Sequence, residues 1–281
     1  MTDDREHSSG PSLRAHRVTA GYGSASPVLE ELDLDVPDGG FTVIIGPNGC
    51  GKSTLLKTLG RVVRPRTGEV RLSGRSLRDY RGKELARRLA LLPQSPVAPE
   101  RITVHGLVCR GRYPHHSLLR QWNASDSAAV AHALQRVDLA GSGHRYMSEL
   151  SGGQRQRAWF AMILAQDTGT VLLDEPTTFL DIAHQFELLE LCARLHQEGR
   201  TVVAVLHDLN QAARYATHLV VMAGGEIVAE GAPDSVLTAE RVSEVFGLRC
   251  DVVPDPHAGT PMVIPCPPVA AHRAPRTVSP P

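Results

Sequence analysis

Gly46-Pro47-Asn48-Gly49-Cys50-Gly51-Lys52-Ser53 fits the pattern G-x-x-x-x-G-K-[ST], and its neighbours give it a context. Phe41-Thr42-Val43-Ile44-Ile45, just upstream, is a short apolar, β-branched run with the length of a buried parallel strand. Ser53 to Leu59, just downstream, reads as a helix. A glycine-rich turn between a buried strand and a helix has a specific use. Glycines let the backbone curl so that successive N–H groups point inward at an anion. The helix that follows adds the positive end of its dipole. The expected anion is the phosphate chain of a nucleotide such as ATP. Lys52 would offer a mobile positive charge to the β- and γ-phosphates, Ser53 a hydroxyl to Mg²⁺, and Thr54 a donor to the α-phosphate.

Working outward, strands and helices alternate. Thr170-Val171-Leu172-Leu173 and Thr201-Val202-Val203-Ala204-Val205-Leu206 are two more buried-strand candidates. Between them, Ala183 to Arg200 has helical spacing, with Phe186, Leu189, Cys192 and Leu195 on one stripe. This rhythm predicts an α/β fold with a mainly parallel sheet flanked by helices. The first of these two strands runs into Asp174-Glu175. A carboxylate at the carboxyl end of a buried strand faces the ligand crevice of such a sheet. Asp174 is therefore a candidate for Mg²⁺, and Glu175 for orienting and deprotonating an attacking water. Roughly Pro96 to Leu150 lacks clear strands and carries helical patterning around Ala128 to Val137, so it reads as a helical insertion. Residues 1–12 and the proline-rich end, taken as 266–281, are expected to be disordered tails.

Leu150-Ser151-Gly152-Gly153-Gln154 brings a known family into view. On physical grounds, Ser151 and the two glycines open an apolar helix from Gln154 to Ala165, a second exposed helix N-terminus about a hundred residues from the first. The segment also matches the signature of ATP-binding-cassette ATPases. Other positions resemble that family's pattern in order. Tyr22 resembles the aromatic that stacks on adenine, and Gln94 the glutamine that senses Mg²⁺ and the attacking water. Asp181 resembles the loop aspartate at the dimer interface, and His207 the histidine that contacts the γ-phosphate. The resemblance covers about residues 13–265. It implies a P-loop, RecA-like core with an N-terminal antiparallel β subdomain and a helical subdomain at about 96–157. It also implies ATP and Mg²⁺ as ligands, and a head-to-tail homodimer in which Ser151, Gly152, Gly153, Gln154 and Asp181 of one chain complete the site of the other.

A narrower resemblance joins Arg110 to His115, Thr177 to Ile182, Val205 to Ala212 and Gly259 to Pro265 to the ATPases of bacterial iron–siderophore importers, including those for ferric catecholates. It implies a motor on the cytoplasmic face of the membrane, coupled to a separate permease and, through it, to an extracytoplasmic substrate-binding protein. Haem or cobalamin import is the alternative cargo. It also implies that about 95–115 forms the permease-docking groove, with Arg110 and Arg112 among its charges. Cys50 in the phosphate loop hints at thiol sensitivity.

Bulk properties narrow the field. Lys plus Arg number 30 and Asp plus Glu 30, a neutral balance that argues against a nucleic-acid partner. Between Arg61 and Arg88, ten basic residues face three acidic ones; a solvated face or a contact with lipid or a partner would explain them. Five scattered cysteines without C-x-x-C fit a reducing compartment. No apolar stretch reaches the ~20 residues that span a bilayer, and Met1 to Gly10 has no apolar segment of a secretory signal. A single phosphate loop, a single signature and no heptad run disfavour a soluble cassette enzyme of translation or DNA repair.

Overall fold

The computed structural model describes residues 12–116, 122–178 and 180–267. The chain opens with β1 (Leu13–Ala20), β2 (Leu29–Val36), β3 (Phe41–Ile45), α1 (Lys52–Leu59), β4 (Thr67–Leu72), β5 (Arg75–Ser76), α2 (Gly82–Ala86) and β6 (Leu89–Leu92). A helical stretch follows: α3 (Val104–Arg110), α4 (Ala124–Arg136) and α5 (Gly152–Gln166). Then come β7 (Thr170–Asp174), α6 (Ile182–Gln197), β8 (Thr201–Val205), α7 (Leu209–Tyr215), β9 (His218–Ala223) and β10 (Glu226–Gly231). The described chain closes with α8 (Pro233–Val236), α9 (Ala239–Phe246), β11 (Cys250–Pro254) and β12 (Pro261–Pro265).

The main sheet has the order β10-β9-β3-β8-β7-β6 and is parallel except at β10. Every residue of β3, β7 and β8 is buried, which is why these strands read as unbroken apolar runs. The two faces of β3 feed two cores. Ile44 packs with Leu55, Leu56 and Leu59 of α1 and with Leu13, Val18 and Leu34 of a second, antiparallel sheet of order β2-β1-β4-β5. Val43 and Ile45 belong to the opposite core, with Leu107, Phe160 and Leu189 from α3, α5 and α6. Helix α1 is thus enclosed between two sheets, which holds the loop at its start.

The helical middle is as expected, with α3, α4 and α5 packed on one another. The stripe of α6 buries Leu189, Cys192 and Leu195, while Phe186 is only half-buried. Two hairpins were not foreseen: β9–β10, whose second strand shows no fully buried residue, and β11–β12. The first tail needs correction at its inner end. Ser12 is buried, because its N–H donates to Val36 O (3.0 Å) and extends the β1–β2 ladder. Pro265, the residue before the second tail, closes β12 opposite Cys250. Residues 1–11 and 268–281 lie outside the described residues. Among the described residues no helix is long and apolar enough to cross a membrane. All five cysteines are free, and burial pushes the Cys192 thiol up to about 12.

The basic run from Arg61 to Arg88 is largely engaged in holding the fold. Arg61 donates to Leu77 O and Tyr80 O, Arg66 to Gly23 O and Ala25 O, and Arg75 pairs with Glu84 while its guanidinium lies over the Tyr80 ring.

Candidate active site

The loop Gly46–Gly51 leaves the end of β3 and enters α1. Its curvature demands glycine at two places. A Cβ on Gly46 would lie 2.2 Å from Met222 O, and Gly51, at φ 103°, occupies backbone space that side chains rarely adopt. Cys50 is buried beneath the turn, so its thiol is shielded and the expected thiol sensitivity loses its simplest basis. Asn48 and Gly49 are exposed, and Pro47 is half-buried. Lys52, only 5% exposed, folds back over the loop and donates to Gly46 O (2.8 Å) and Pro47 O (2.9 Å). An ammonium has three donors, so one remains for a ligand. Thr54 is buried in the first turn of α1.

Ser53 Oγ donates to Asp174 Oδ1 (2.7 Å). Asp174 is the last residue of β7 and is 1% exposed; among the described residues its Oδ2 has no hydrogen-bond partner, and Lys57 Nζ stands 3.9 Å away. Burial raises the Asp174 carboxyl above the usual range, against the opposing pull of Ser53 and Lys57. A buried carboxylate oxygen without a partner, beside a hydroxyl, is a hard oxygen pair suited to Mg²⁺.

Three neighbouring parallel strands, β6, β7 and β8, end in register, with Leu92 opposite Leu173 and Asp174 opposite Val205. Gln94, Glu175 and His207 follow these ends and therefore meet. Gln94 Nε2 donates to Glu175 Oε2 (2.5 Å), and His207 Nε2 lies 2.7 Å from Glu175 Oε1. Glu175 itself has φ 50°, a left-handed conformation that costs a non-glycine residue roughly 1–3 kcal/mol. Its carboxylate is thus held in place from a strained backbone. Thr178 adds a third contact, its Oγ1 donating to Glu175 Oε2 (3.2 Å). That residue was not singled out from the sequence. The signal available was a turn, since Thr178 N also donates to Glu175 O (3.2 Å) and brings the side chain back.

The remaining expected residues stand apart from this cluster. Ser151 caps α5, with Gln154 N donating to Ser151 Oγ and Ser151 N donating to Gln154 Oε1, both at 3.2 Å. Ser151 and Gly152 are exposed, and Gly153 and Gln154 half-buried. Asp181 caps α6, accepting from His184 N (3.1 Å) with His184 Nδ1 at 2.7 Å. Tyr22 is 51% exposed. Among the described residues no hydrogen bond or ion pair joins Ser151, Asp181 or Tyr22 to Lys52, Asp174 or Glu175. The signature helix reaches the site indirectly, through Gln156 Nε2, which donates to Pro176 O (3.0 Å).

The docking expectation is revised at one residue. Arg112 is 6% exposed, and its Nε donates to the fully buried Asp126 (3.0 Å) while Nη1 donates to Ala165 O (2.8 Å). It is an internal tie between α4 and α5 and has no free charge to present. Arg110, Val97 and Tyr113 are exposed.

Known proteins resemble this chain. Residues 29–178 match the ABC transporter family. The chain is 53% identical over 254 residues to the ferric enterobactin transport ATP-binding protein of Escherichia coli (strain K12), covering 90% of this chain and 93% of that one. It is 46% identical over 255 residues to the petrobactin import ATP-binding protein of Bacillus anthracis, covering 90% and 93%. Among solved structures, it resembles the dimeric ATP-binding cassette MJ0796 in a post-hydrolysis state bound to ADP and Pi. There the TM-score is 0.69 at 26% identity, covering 78% of this chain and 98% of that one.

Proposed function

The chain belongs to the ABC transporter family, and on that premise we propose how its residues act as the ATPase motor of an iron–siderophore importer. The observation that carries the reading is the meeting of Gln94, Glu175 and His207 at three strand ends, beside the Ser53–Asp174 pair and the loop of Lys52.

ATP is the substrate. Its phosphates would lie on the N–H groups of residues 46–54. Lys52, whose ammonium rests on two loop carbonyls, would transfer that contact to the β- and γ-phosphates, and Tyr22 would cover the adenine. Glu175 orients a water and takes its proton as the oxygen attacks the γ-phosphorus in line with the departing ADP oxygen. Gln94 and Thr178 hold the carboxylate in position, and His207, whose Nε2 faces its other oxygen, would turn that nitrogen to the γ-phosphoryl group as a donor. Mg²⁺ would be held by Ser53 and Asp174, with Gln94 nearby, and supplies charge neutralisation to the phosphates when bound.

The N-terminus of α5 is exposed and, among the described residues, makes no hydrogen bond to Lys52. In our reading it meets the ATP of a second copy, so that Ser151, Gly152, Gly153 and Gln154, with Asp181, complete a head-to-tail dimer with two sites. Closing and opening of that dimer would drive a separate permease from the cytoplasmic face of the membrane, with a substrate-binding protein delivering cargo on the far side. The exposed residues between about 95 and 115, Val97, Arg110 and Tyr113 among them and Arg112 not, remain the proposed docking groove. The helical unit at about 96–157 would carry both the groove and the signature. A neutral net charge supports no nucleic-acid role.

The test is nucleotide binding and hydrolysis by the purified chain. The wild type should bind and hydrolyse ATP, and Lys52→Ala should lose most of its nucleotide affinity. Near-normal ATP affinity in Lys52→Ala would contradict the assignment of the loop.

A further inference from the structure

His207 stands in a short connection between β8 and α7, so its place is set by the strand before it and the helix after it. The strand is fixed at the centre of the sheet. Helix α7 has seven residues, and its first turn is fastened by two side-chain amides. Asn210 faces the C-terminal hairpin, accepting from Val263 N (2.7 Å) and donating to Val263 O (3.2 Å). Gln211, 6% exposed, turns the other way and donates from Nε2 to Gln185 Oε1 (2.8 Å) in the first turn of α6. Gln185 in turn donates from Nε2 to Leu180 O (3.0 Å), the residue before Asp181.

We propose that Gln211 and Gln185 are positioning residues for hydrolysis, linking the Asp181 loop to the helix that places His207. This rests on the reading of the chain as a dimeric ATPase. The amide chemistry supports a directional link. A glutamine amide donates and accepts at once, so Gln185 can serve Leu180 O with its nitrogen only while its oxygen faces Gln211. A buried amide without its partner is costly, so the two contacts form or break together. A shift of the loop bearing Asp181, which in the dimer would face the second chain, is therefore felt by α7 and by His207. The His207–Glu175 contact of 2.7 Å leaves little tolerance, since small misplacements of catalytic groups cost large factors in rate.

Methionine matches glutamine in length and removes the hydrogen bonds. Gln211→Met and Gln185→Met should each lower kcat by about tenfold, with KM for ATP and nucleotide affinity of the monomer held within about twofold. The double variant should be no slower than either single one, because both break the same link. Unchanged kcat in the single variants, or losses that multiply in the double variant, would overturn the proposal. So would a fall in kcat accompanied by raised KM and a lowered melting temperature, which would assign the pair to maintenance of the fold. A wild type that fails to hydrolyse ATP would instead overturn the functional reading on which the proposal rests.

Discussion

Glu175 combines a left-handed backbone with a carboxylate gripped by Gln94, Thr178 and His207. Strain kept at one residue and satisfied by three side chains is the mark of a group whose direction matters. Glu175→Gln keeps the shape and removes the base. Hydrolysis should fall by ~10²–10⁴-fold while ATP still binds, and a dimer dependent on ATP should accumulate on gel filtration. Hydrolysis near the wild-type rate would remove Glu175 from the role of base. The principal residues around it were legible in the sequence because each sits at the end of a recognisable strand or inside a motif. Thr178, Gln185 and Gln211 were not, since their roles depend on which side chains packing brings together. Arg112 was misread for the same reason. In the sequence it is one charge in a polar, aromatic segment, and only the fold reveals Asp126 beneath it.

That Arg112–Asp126 pair decides the behaviour of the helical stretch. Asp126 also belongs to the N-terminal box of α4, donating its N–H to Asn123 Oδ1 (3.1 Å) and accepting from Asn123 N (3.2 Å). Burial opposes its ionisation, yet Arg112, Asn123 and His116 hold its carboxyl below the usual carboxylate range. A carboxyl depressed in the folded state contributes stability above the ordinary carboxylate pKa and loses it as pH falls through the folded value. Asp126→Ala, which leaves the guanidinium buried and unpaired, should cost ~3–5 kcal/mol in denaturant unfolding at neutral pH. The wild-type advantage should shrink on acidification, and an equal gap at acid pH would show that the ion pair is not its source. Charge reversal at Arg112 should likewise destabilise the chain, leaving Arg110 as the cleaner probe of permease coupling. The central strands were legible because their apolar runs are unbroken. Strand β10 and the β11–β12 hairpin were missed because partly exposed, mixed strands resemble loops until their partners are known, whereas β9, with Leu219, Val220, Val221 and Met222 buried, carries an apolar run that was legible.

Taken whole, the chain carries two helix N-termini that we propose to face phosphate, α1 behind its loop and α5 behind Ser151, with the Gln94–Glu175–His207 cluster at the strand ends. One chain supplies a loop and a base, and the other end calls for a second copy. Ser151→Arg should therefore abolish hydrolysis while nucleotide binding by the monomer survives, because Lys52 and its loop are untouched. Mixing Ser151→Arg with Lys52→Ala chains should restore a fraction of the activity, since one composite site then keeps both intact halves. Equal loss of monomer affinity and activity in Ser151→Arg would place the signature within the same chain's site.

The central claim, a motor for iron–siderophore import, is tested most directly by uptake of radiolabelled iron as its ferric siderophore complex. Cells that depend on this chain alone for the ATPase subunit would carry either the wild type or Glu175→Gln at matched abundance. The wild type should accumulate the label, and Glu175→Gln should reduce accumulation to the level of cells lacking the chain. Uptake that persists undiminished in Glu175→Gln cells, or in cells without the chain, would contradict the account.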